Sequence, residues 1–363
     1  MLKTNSQINL EGRVLIIGPS SNQQGGVATH LKNLESYNAF EQADFYDLGS
    51  INTSNKGRKS SLSKIFFSLR NLRKLNKKNQ YDYIMLNHSI YLGSFLKLLL
   101  SIIFIPDKKQ KSIYVFFHGG RFNSSFKKIL LFKPIVNQIL RSASTFYFLS
   151  EEQKKSFETT WGNRHSTQIY NNYSNDDDIL KKNRTNQFDF LFVGRLVKEK
   201  GIPELIEACS ELKKNNYHNW KLYIIGKGPD SFVDDLKRKI SKSDLTENIE
   251  LLGYIDKKEI MDYYAKAKWV VLPSYAEGFP YVFIEAMKSG TPIISTKTGA
   301  LNRLISPKKN GFFIEPENSV SLYETMSMVL SKNPNLSNNC YNFFKENLSR
   351  TKAELFYTNL FKN

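Results

Sequence analysis

At 363 residues the chain is too long for one ordinary core of roughly 100–200 residues and suits two. Hydrophobic residues at 40% and charged residues at 24% exclude wholesale disorder and collagen-like or low-complexity architectures. The net charge of +18 is concentrated: residues 51–150 hold 18 Lys and Arg against two acidic residues, Asp82 and Asp107. Such a field suits nucleic acid, anionic lipid headgroups or pyrophosphate-linked substrates, and composition alone does not choose among them. A general Lys and Asn bias would not confine the charge to one stretch.

The opening MLKTNSQINLEGRVLIIGPS has no apolar segment ahead of a small-residue cleavage site, so a cytoplasmic location is expected. In the first half, residues 13–18, 82–88, 112–118 and 145–150 read as strands with helical patterns between them. The apolar run Leu98 to Ile105 stops at Lys97 on one side and Pro106-Asp107 on the other, short of the ~20 residues a membrane span needs. The polar stretch 171–187 reads as an interdomain linker, with Asp176, Asp177 and Asp178 as a solvated run. In the second half, strands are expected at 188–194, 220–226, 249–253, 269–273 and 291–295. This is a doubly wound α/β pattern twice over: two Rossmann-like domains, expected to face each other across a cleft. Cys209 and Cys340 match no metal or redox spacing and read as packing residues.

Ligands of such sheets bind outside the carboxyl ends of the strands, so the loops there carry the chemistry. After the first strand comes GPSSNQQGGVATHLKNL, where Gly25-Gly26 precede a helix from about Val27 and let backbone amides approach a phosphate, or simply make a tight turn. The spacing is neither GxGxxG nor a P-loop. After residues 188–194, VGRLVKEKGIPELIEAC places Arg195 and Lys200 on a strand-to-helix loop, with Gly201 permitting the turn and Pro203 early in the helix. Two cations there suit a diphosphate: Arg as a planar fork, Lys as a mobile point charge. A solvated basic loop is the plain alternative. The run WVVLPSYAEGFPYVFIEAMKSGTPIIST reads strand, loop, short helix, turn and strand, with Glu277 in the loop and Glu285 in the helix. Backbone amides over Gly278, Phe279, Pro280, Tyr281 and Val282 are expected to hold phosphate oxygens, and both glutamates to accept hydrogen bonds from sugar or ribose hydroxyls.

These motifs resemble the retaining nucleotide-sugar glycosyltransferases of family 4, which have the GT-B fold. The resemblance is most specific over 188–320, where FVGRLVKEKG, LYIIGKGP, LLGYIDKKEIMDYYAKA, VVLPSYAEGFPYVFIEAMKSGTPII and NGFFIEP follow in the family's order. In the first half it rests on the GGV turn, the HGG after residues 112–118, and YNN at 170–172, where the family often has Pro-Asn-Gly. It implies an N-terminal acceptor-side domain, 1–170, joined by a C-terminal helix at 343–363, and a donor-binding domain, 171–342. It further implies that Arg195 and Lys200 bind the donor diphosphate and stabilise the leaving nucleotide, that Glu277 touches the donor sugar, and that Glu285 holds the ribose. Gly26 would offer its amide to the diphosphate, His118 would lie beside the transferred sugar, and Tyr254 would lie near the base through its backbone. Retention without a protein nucleophile, and with no metal or other cofactor, is expected, since no DxD stands at a strand end.

Two basic amphipathic segments stand in the first half. In 62–76, Leu62, Ile65, Phe66, Leu69, Leu72 and Leu75 recur at helical spacing among Lys64, Arg70, Arg73 and Lys74; in 121–142, aromatics and aliphatics interleave with Lys127, Lys128 and Lys133. Each suits a core-facing helix or an interfacial helix on anionic lipid. The expectation is a UDP-sugar hexosyltransferase acting on a saccharide acceptor, lipid-linked, as a peripheral protein on the inner face of the cell membrane, in polysaccharide or glycolipid synthesis. A non-hydrolysing nucleotide-sugar epimerase of the same fold and a non-catalytic membrane-associated subunit remain open. A nucleic-acid partner is not expected, because no RRM, KH or zinc-finger pattern occurs.

Overall fold

Strands form where β-branched, aromatic and leucine residues run together, because both faces of a parallel sheet are covered and alternation is lost. The computed structural model describes residues 12–20, 26–40, 42–48, 58–120, 126–175 and 187–362, and the side chains of Leu62, Lys64, Ile65 and Lys128 lie outside the described part. It divides into two units, one of Met1–Asn175 with Arg350–Asn363 and one of Asp176–Ser349. Gly25 and Asp176 to Asp178 are also outside the described residues.

The first unit holds β1 (Val14–Gly18), β2 (Asp44–Asp47), β3 (Tyr83–Ile90), β4 (Ser112–Gly120), β5 (Thr145–Phe148) and β6 (Thr167–Ile169) in the order β2-β1-β3-β4-β5-β6. The second holds β7 (Phe188–Val193), β8 (Leu222–Ile225), β9 (Ile249–Gly253), β10 (Ala267–Leu272), β11 (Ile293–Thr296) and β12 (Gly311–Ile314) in the order β12-β11-β10-β7-β8-β9. Every pairing between these strands is parallel. The two doubly wound α/β sheets are the GT-B architecture. Sequence patterning missed β2, β6 and β12, which are sheet edges. DFYD and TQI carry polar residues and GFFI is only four residues long, so none stands out as a long apolar run.

On one face of the first sheet, the helices Arg58–Asn79, Leu92–Phe104, Lys133–Leu140 and Glu151–Trp161 bury Leu69, Leu72, Phe95, Leu98, Ile102, Val136, Leu140, Phe157 and Trp161 against Leu15, Leu86, Val115, Phe117 and Phe148. Each fully buried side chain of this size contributes roughly 1.5–3 kcal/mol. The opposite face carries the helices Gly26–Glu35 and Arg350–Lys362. Tyr357 meets Phe40 edge to face at 5.0 Å, and the Tyr83 and Tyr114 hydroxyls donate to the carbonyls of Phe361 and Leu360 at 2.8 and 3.0 Å.

Three expectations need correction. The single helix over 343–363 is two, Ser337–Asn347 and Arg350–Lys362, because the chain leaves helical geometry at Leu348, and the unit junction falls at 349/350 rather than 342/343. The segment 171–175 belongs to the first unit, since Asn33 Nδ2 and the Tyr37 hydroxyl donate to the carbonyls of Tyr173 and Ser174 at 3.0 and 2.8 Å. Within 121–142 the helices are Lys127–Leu130 and Lys133–Leu140, broken at Leu131-Phe132 with Pro134 starting the second.

Gly201 follows β7 and turns at φ +71°, where an added Cβ would lie 2.1 Å from the carbonyl oxygen of Pro273 after β10. Gly201→Ala is expected to destabilise the second unit by about 2–3 kcal/mol, since neither the backbone angle nor the contact tolerates a side chain. Gly93→Ala, in a helix with nothing within 4 Å, should raise stability by about 0.5–1 kcal/mol. Urea denaturation of both variants checks the pair, and an unchanged midpoint for Gly201→Ala would refute the steric reading.

Candidate active site

In an open parallel sheet, neighbouring strands whose connections leave in opposite directions open a crevice at their carboxyl ends. In the second unit that point lies between β7 and β10. The loop after β7 carries Arg195 and Lys200, and the loop after β10 carries Glu277. Two backbone contacts hold the loops in register. The amide of Tyr275 donates to the carbonyl of Glu199 at 3.0 Å, and Gly201 packs on Pro273. Gly299, at φ +52°, lies so close under the second loop that a Cβ would sit 2.0 Å from the Glu277 carbonyl oxygen.

This closeness brings Lys200 Nζ to 2.5 Å from Glu277 Oε1, with the two side chains 19% and 9% exposed. Arg195 is exposed and makes no ion pair among the described residues. The site therefore offers one unneutralised guanidinium beside a mostly buried lysine–carboxylate pair. An arriving polyanion can share Lys200 with Glu277, and hydroxyls next to that polyanion meet the carboxylate. Glu285 lies on the helix Tyr281–Lys288, and its Oε2 accepts a hydrogen bond from the Tyr264 hydroxyl at 2.8 Å. Burial first, then the Glu285 charge, holds the Tyr264 phenol well above its ordinary pKa, so it stays a donor.

The amides expected over Gly278 to Val282 need one correction. The helix begins at Tyr281, and Pro280 has no N–H. Gly278 uses its carbonyl to accept from the Ala300 amide at 2.8 Å, while the Phe279 side chain is buried with the Arg303 guanidinium 5.8 Å from its ring. Val282 stands in the helix's first turn. Tyr254, after β9, is 62% exposed, and Lys227, after β8, lies 4.7 Å from its ring centre. Sequence reading noticed the backbone of Tyr254 but not this cation–π pair.

In the first unit the equivalent point lies between β1 and β3, where a cavity of about 230 Å³ is lined by Gly18, Pro19, Asn87, His88, Tyr91 and Lys97 among others. Gly26 opens the helix that follows β1. His118, near the end of β4, has both ring nitrogens engaged. Nε2 lies 2.9 Å from Asn87 Oδ1, and Nδ1 lies 2.9 Å from the Tyr170 hydroxyl. Asn87 Nδ2 donates to the Ile17 carbonyl at 3.4 Å, which turns Oδ1 toward His118, so His118 carries its proton on Nε2 and accepts from Tyr170 on Nδ1. Tyr170 stands where the resemblance departs from Pro-Asn-Gly, and here it serves to hold the histidine.

His30 and His88 complete a cluster to which sequence reasoning assigned no role. The His30 and His118 ring centres are 4.4 Å apart, and His88 Nδ1 lies 3.3 Å from Ser94 Oγ. Burial above all holds all three neutral: His30 and His88 are pushed down to about 3, and His118 well below its ordinary value, with the neighbouring histidines adding to the effect. Lys97 opposes protonation of His88, and burial lowers its own pKa as well, against the pull of Asp47. The signal that could have found Asn87 and His88 was their place at the polar end of the apolar run DYIMLNH.

Residues 175–346 match the family model described as Glycosyl transferases group 1. The chain is 28% identical to an uncharacterized glycosyltransferase of Haemophilus influenzae over 76% of its own length and 74% of that protein. It is also 28% identical to an uncharacterized 41.2 kDa protein in the cps region of Klebsiella pneumoniae, over 84% of its length and 86% of that protein. An uncharacterized glycosyltransferase of Methanocaldococcus jannaschii is 34% identical over 39% of the chain, a match spanning about a third of that relative (35%). Among solved structures, Anabaena HepE with UDP and glucose superposes with a TM-score of 0.72 at 16% identity, covering 96% of this chain and 99% of that one. Sucrose-phosphate synthase from Thermosynechococcus elongatus gives 0.72 at 16% identity, covering 96% and 98%. Together these findings show the GT-B fold over the chain and, over residues 175–346, a likeness to the glycosyl transferases of group 1.

Lys200→Met leaves the Glu277 carboxylate mostly buried without its cation and should lower stability by about 2–3 kcal/mol. Lys200→Met/Glu277→Leu should lose clearly less than the sum of the two single losses; additivity in a double-mutant cycle would show that the pair is not coupled. For the histidines the native state binds fewer protons than the unfolded chain below pH ~6.5. Their stabilisation is therefore complete above that pH and is lost as pH falls toward about 3. Urea midpoints of the first unit should drop below pH 6.5, with a slope of about 1.4 kcal/mol per pH unit for each histidine. The slope should shrink in His30→Asn, and a flat profile from pH 6.5 to 4.5 would contradict the cluster's neutrality.

Proposed function

We propose that this chain transfers a hexose-type sugar from a nucleotide-diphosphate sugar, UDP-linked by family frequency, to a saccharide acceptor with retention of anomeric configuration. The observation that carries the reading is the meeting of Arg195, Lys200 and Glu277 at the switch point of the second sheet, with Lys200 and Glu277 in contact at 2.5 Å. A diphosphate needs cations, and the sugar attached to it needs a hydroxyl acceptor alongside. That pairing is what these loops present. The relatives in the comparisons are named as glycosyltransferases or stand in a cps region, and HepE was solved with UDP and glucose, which supports a nucleotide-sugar donor.

In this reading Arg195 and Lys200 hold the diphosphate and take up the charge that grows as the bond from the anomeric carbon to the leaving phosphate oxygen breaks. The acceptor oxygen bonds to the anomeric carbon on the face the leaving group departs, and its proton passes to the leaving phosphate. No protein nucleophile and no metal ion take part. Glu277 holds sugar hydroxyls, and Glu285, oriented by Tyr264, holds the ribose. Tyr254 offers its backbone, and with Lys227 its exposed ring, to the base. Gly26 and the stretch Gly278, Phe279, Tyr281 and Val282 supply backbone groups to the phosphates. His118 is the neutral residue assigned beside the transferred sugar, positioned by Asn87 and Tyr170.

The acceptor is a lipid-linked saccharide, and the chain works at the inner face of the cell membrane in polysaccharide or glycolipid synthesis. No helix among the described residues is long and apolar enough to cross a membrane, so this attachment would be peripheral.

A nucleotide that binds only the native state raises the melting temperature. At a hundredfold excess over Kd, UDP or a UDP-sugar should raise the melting temperature of the second unit by about 5–10 °C, and Arg195→Ala should abolish most of the rise. In a transfer assay Arg195→Ala should lower kcat about 100- to 1,000-fold, while chelation of divalent ions should leave the rate unchanged. No shift with UDP, GDP, ADP or their sugars would overturn the transferase reading in favour of a non-catalytic subunit.

A further inference from the structure

One face of the first unit carries apolar side chains that the core does not use. The helix Leu92–Phe104 buries Phe95, Leu98, Leu99 and Ile102, and on its outer side Leu96, Leu100 and Ile103 are 43%, 38% and 47% exposed at four- and three-residue spacing. The helices Arg58–Asn79 and Lys133–Leu140 pack on either side of it, over the same face of the sheet. The first of these adds Phe66 and Phe67, both exposed, with the Phe66 ring edge-on to Phe104 at 6.0 Å. Beside the second, Leu131 is 80% exposed, and Phe132 and Ile135 are exposed as well. Isolated exposed hydrophobics are ordinary. A set spread over adjoining helices marks an interaction surface.

The charged residues of these three helices are all basic, while Glu151, Glu152 and Glu158 stand on the helix Glu151–Trp161 over the same face of the sheet. Arg70, Arg73, Lys74, Lys77 and Lys78 are exposed on the first helix, and Lys127 and Arg141 flank the last. Asp82 and Asp107 are the acidic residues of 51–150. A second copy of this chain would bring the same positive field against itself, which disfavours self-association. An apolar stripe with a cationic flank matches a surface that is apolar beneath and anionic above.

We infer that the face formed by the helices Arg58–Asn79, Leu92–Phe104 and Lys133–Leu140 docks on an anionic lipid bilayer, with Leu96, Leu100, Ile103, Phe66 and Phe132 entering the acyl boundary and the flanking Lys and Arg meeting the headgroup phosphates. The inference deepens the lipid-linked acceptor of the proposed function and rests on it only for its biological purpose. The helix Leu92–Phe104 also lines the cavity of the first unit through Lys97. A lipid-anchored acceptor could thus reach that cavity without leaving the surface on which the protein sits.

The test is vesicle flotation of the full chain, without donor or acceptor, on phosphatidylcholine vesicles and on phosphatidylcholine mixed with phosphatidylglycerol. Binding is expected on the mixed vesicles, weaker on the neutral ones, and falling as salt rises. Leu100→Glu/Ile103→Glu should lower binding at least about tenfold, and Arg70→Glu/Arg73→Glu should remove the dependence on phosphatidylglycerol. Unchanged far-UV circular dichroism and melting temperature show that each variant is folded; should the first not fold, Phe66→Ser/Phe67→Ser replaces it with the same expected loss. Absence of binding to mixed vesicles, or binding unaltered in the folded variants, overturns the inference. So does a dimer in sedimentation velocity that the glutamate variants dissociate. Because no nucleotide enters the experiment, its failure leaves the donor reading standing, and a failed nucleotide shift leaves this one standing.

Discussion

Parallel pairing is the constraint from which the site follows. When all strands of a sheet run the same way, their carboxyl ends lie along one edge, and a reversal in the order of winding opens a crevice there. In the second unit the crevice is narrowed by glycines: Gly201 lets the loop after β7 rest on Pro273, and Gly299 lets the loop after β11 pass beneath Glu277. Side chains at either position would force the loops apart. Lys200 and Glu277, 77 residues apart in sequence, are in contact because backbone meets backbone on either side of them.

The two units use opposite electrostatics at corresponding places. At the switch point of the second sheet the charges are kept: an exposed Arg195 and a mostly buried Lys200–Glu277 pair, whose desolvation is offset by the short contact between them. At the first sheet the three histidines are held neutral by burial, beside the Lys97 side chain. His118 spends both nitrogens on Asn87 and Tyr170, and burial pushes the pKa of His30 and of His88 down to about 3. A charged crevice suits a phosphate-bearing ligand. Neutral, hydrogen-bonded histidines suit the orientation of hydroxyls.

The helix Leu92–Phe104 has three duties at once. Phe95, Leu98 and Ile102 close the core, Lys97 reaches the cavity, and Leu96, Leu100 and Ile103 face outward. A helix has room for all three because successive residues are about 100° apart, so four consecutive residues address different surroundings. This also explains why composition and hydropathy along LGSFLKLLLSIIF suggest an apolar run, whereas in space the same residues divide between core, cavity and surface.

Much of the fold was legible because central strands of a parallel sheet are apolar on both faces: VLIIG and FDFLFV could hardly be anything else. Arg195, Lys200, Glu277 and Glu285 could be picked out from strand-end position and spacing, since ligands of such folds meet the chain where strands end. The strands β2, β6 and β12 were not legible, because DFYD and TQI carry polar residues and GFFI is too short to signal a strand. The break at Leu348, which returns the last helix to the first unit, depends on which surface each half finds to bury, and local propensity does not record that. Nor does sequence tell that Tyr170 holds His118, that Tyr264 holds Glu285, or that Lys200 lies against Glu277. Sequence by itself determined the order of the central strands, the candidate loops at their ends and the concentration of positive charge, because these rest on periodicity and composition. Tertiary structure alone decided the pairings, the neutrality of the histidines and the outward apolar face, because contact, burial and exposure arise only when segments distant in the chain are packed together.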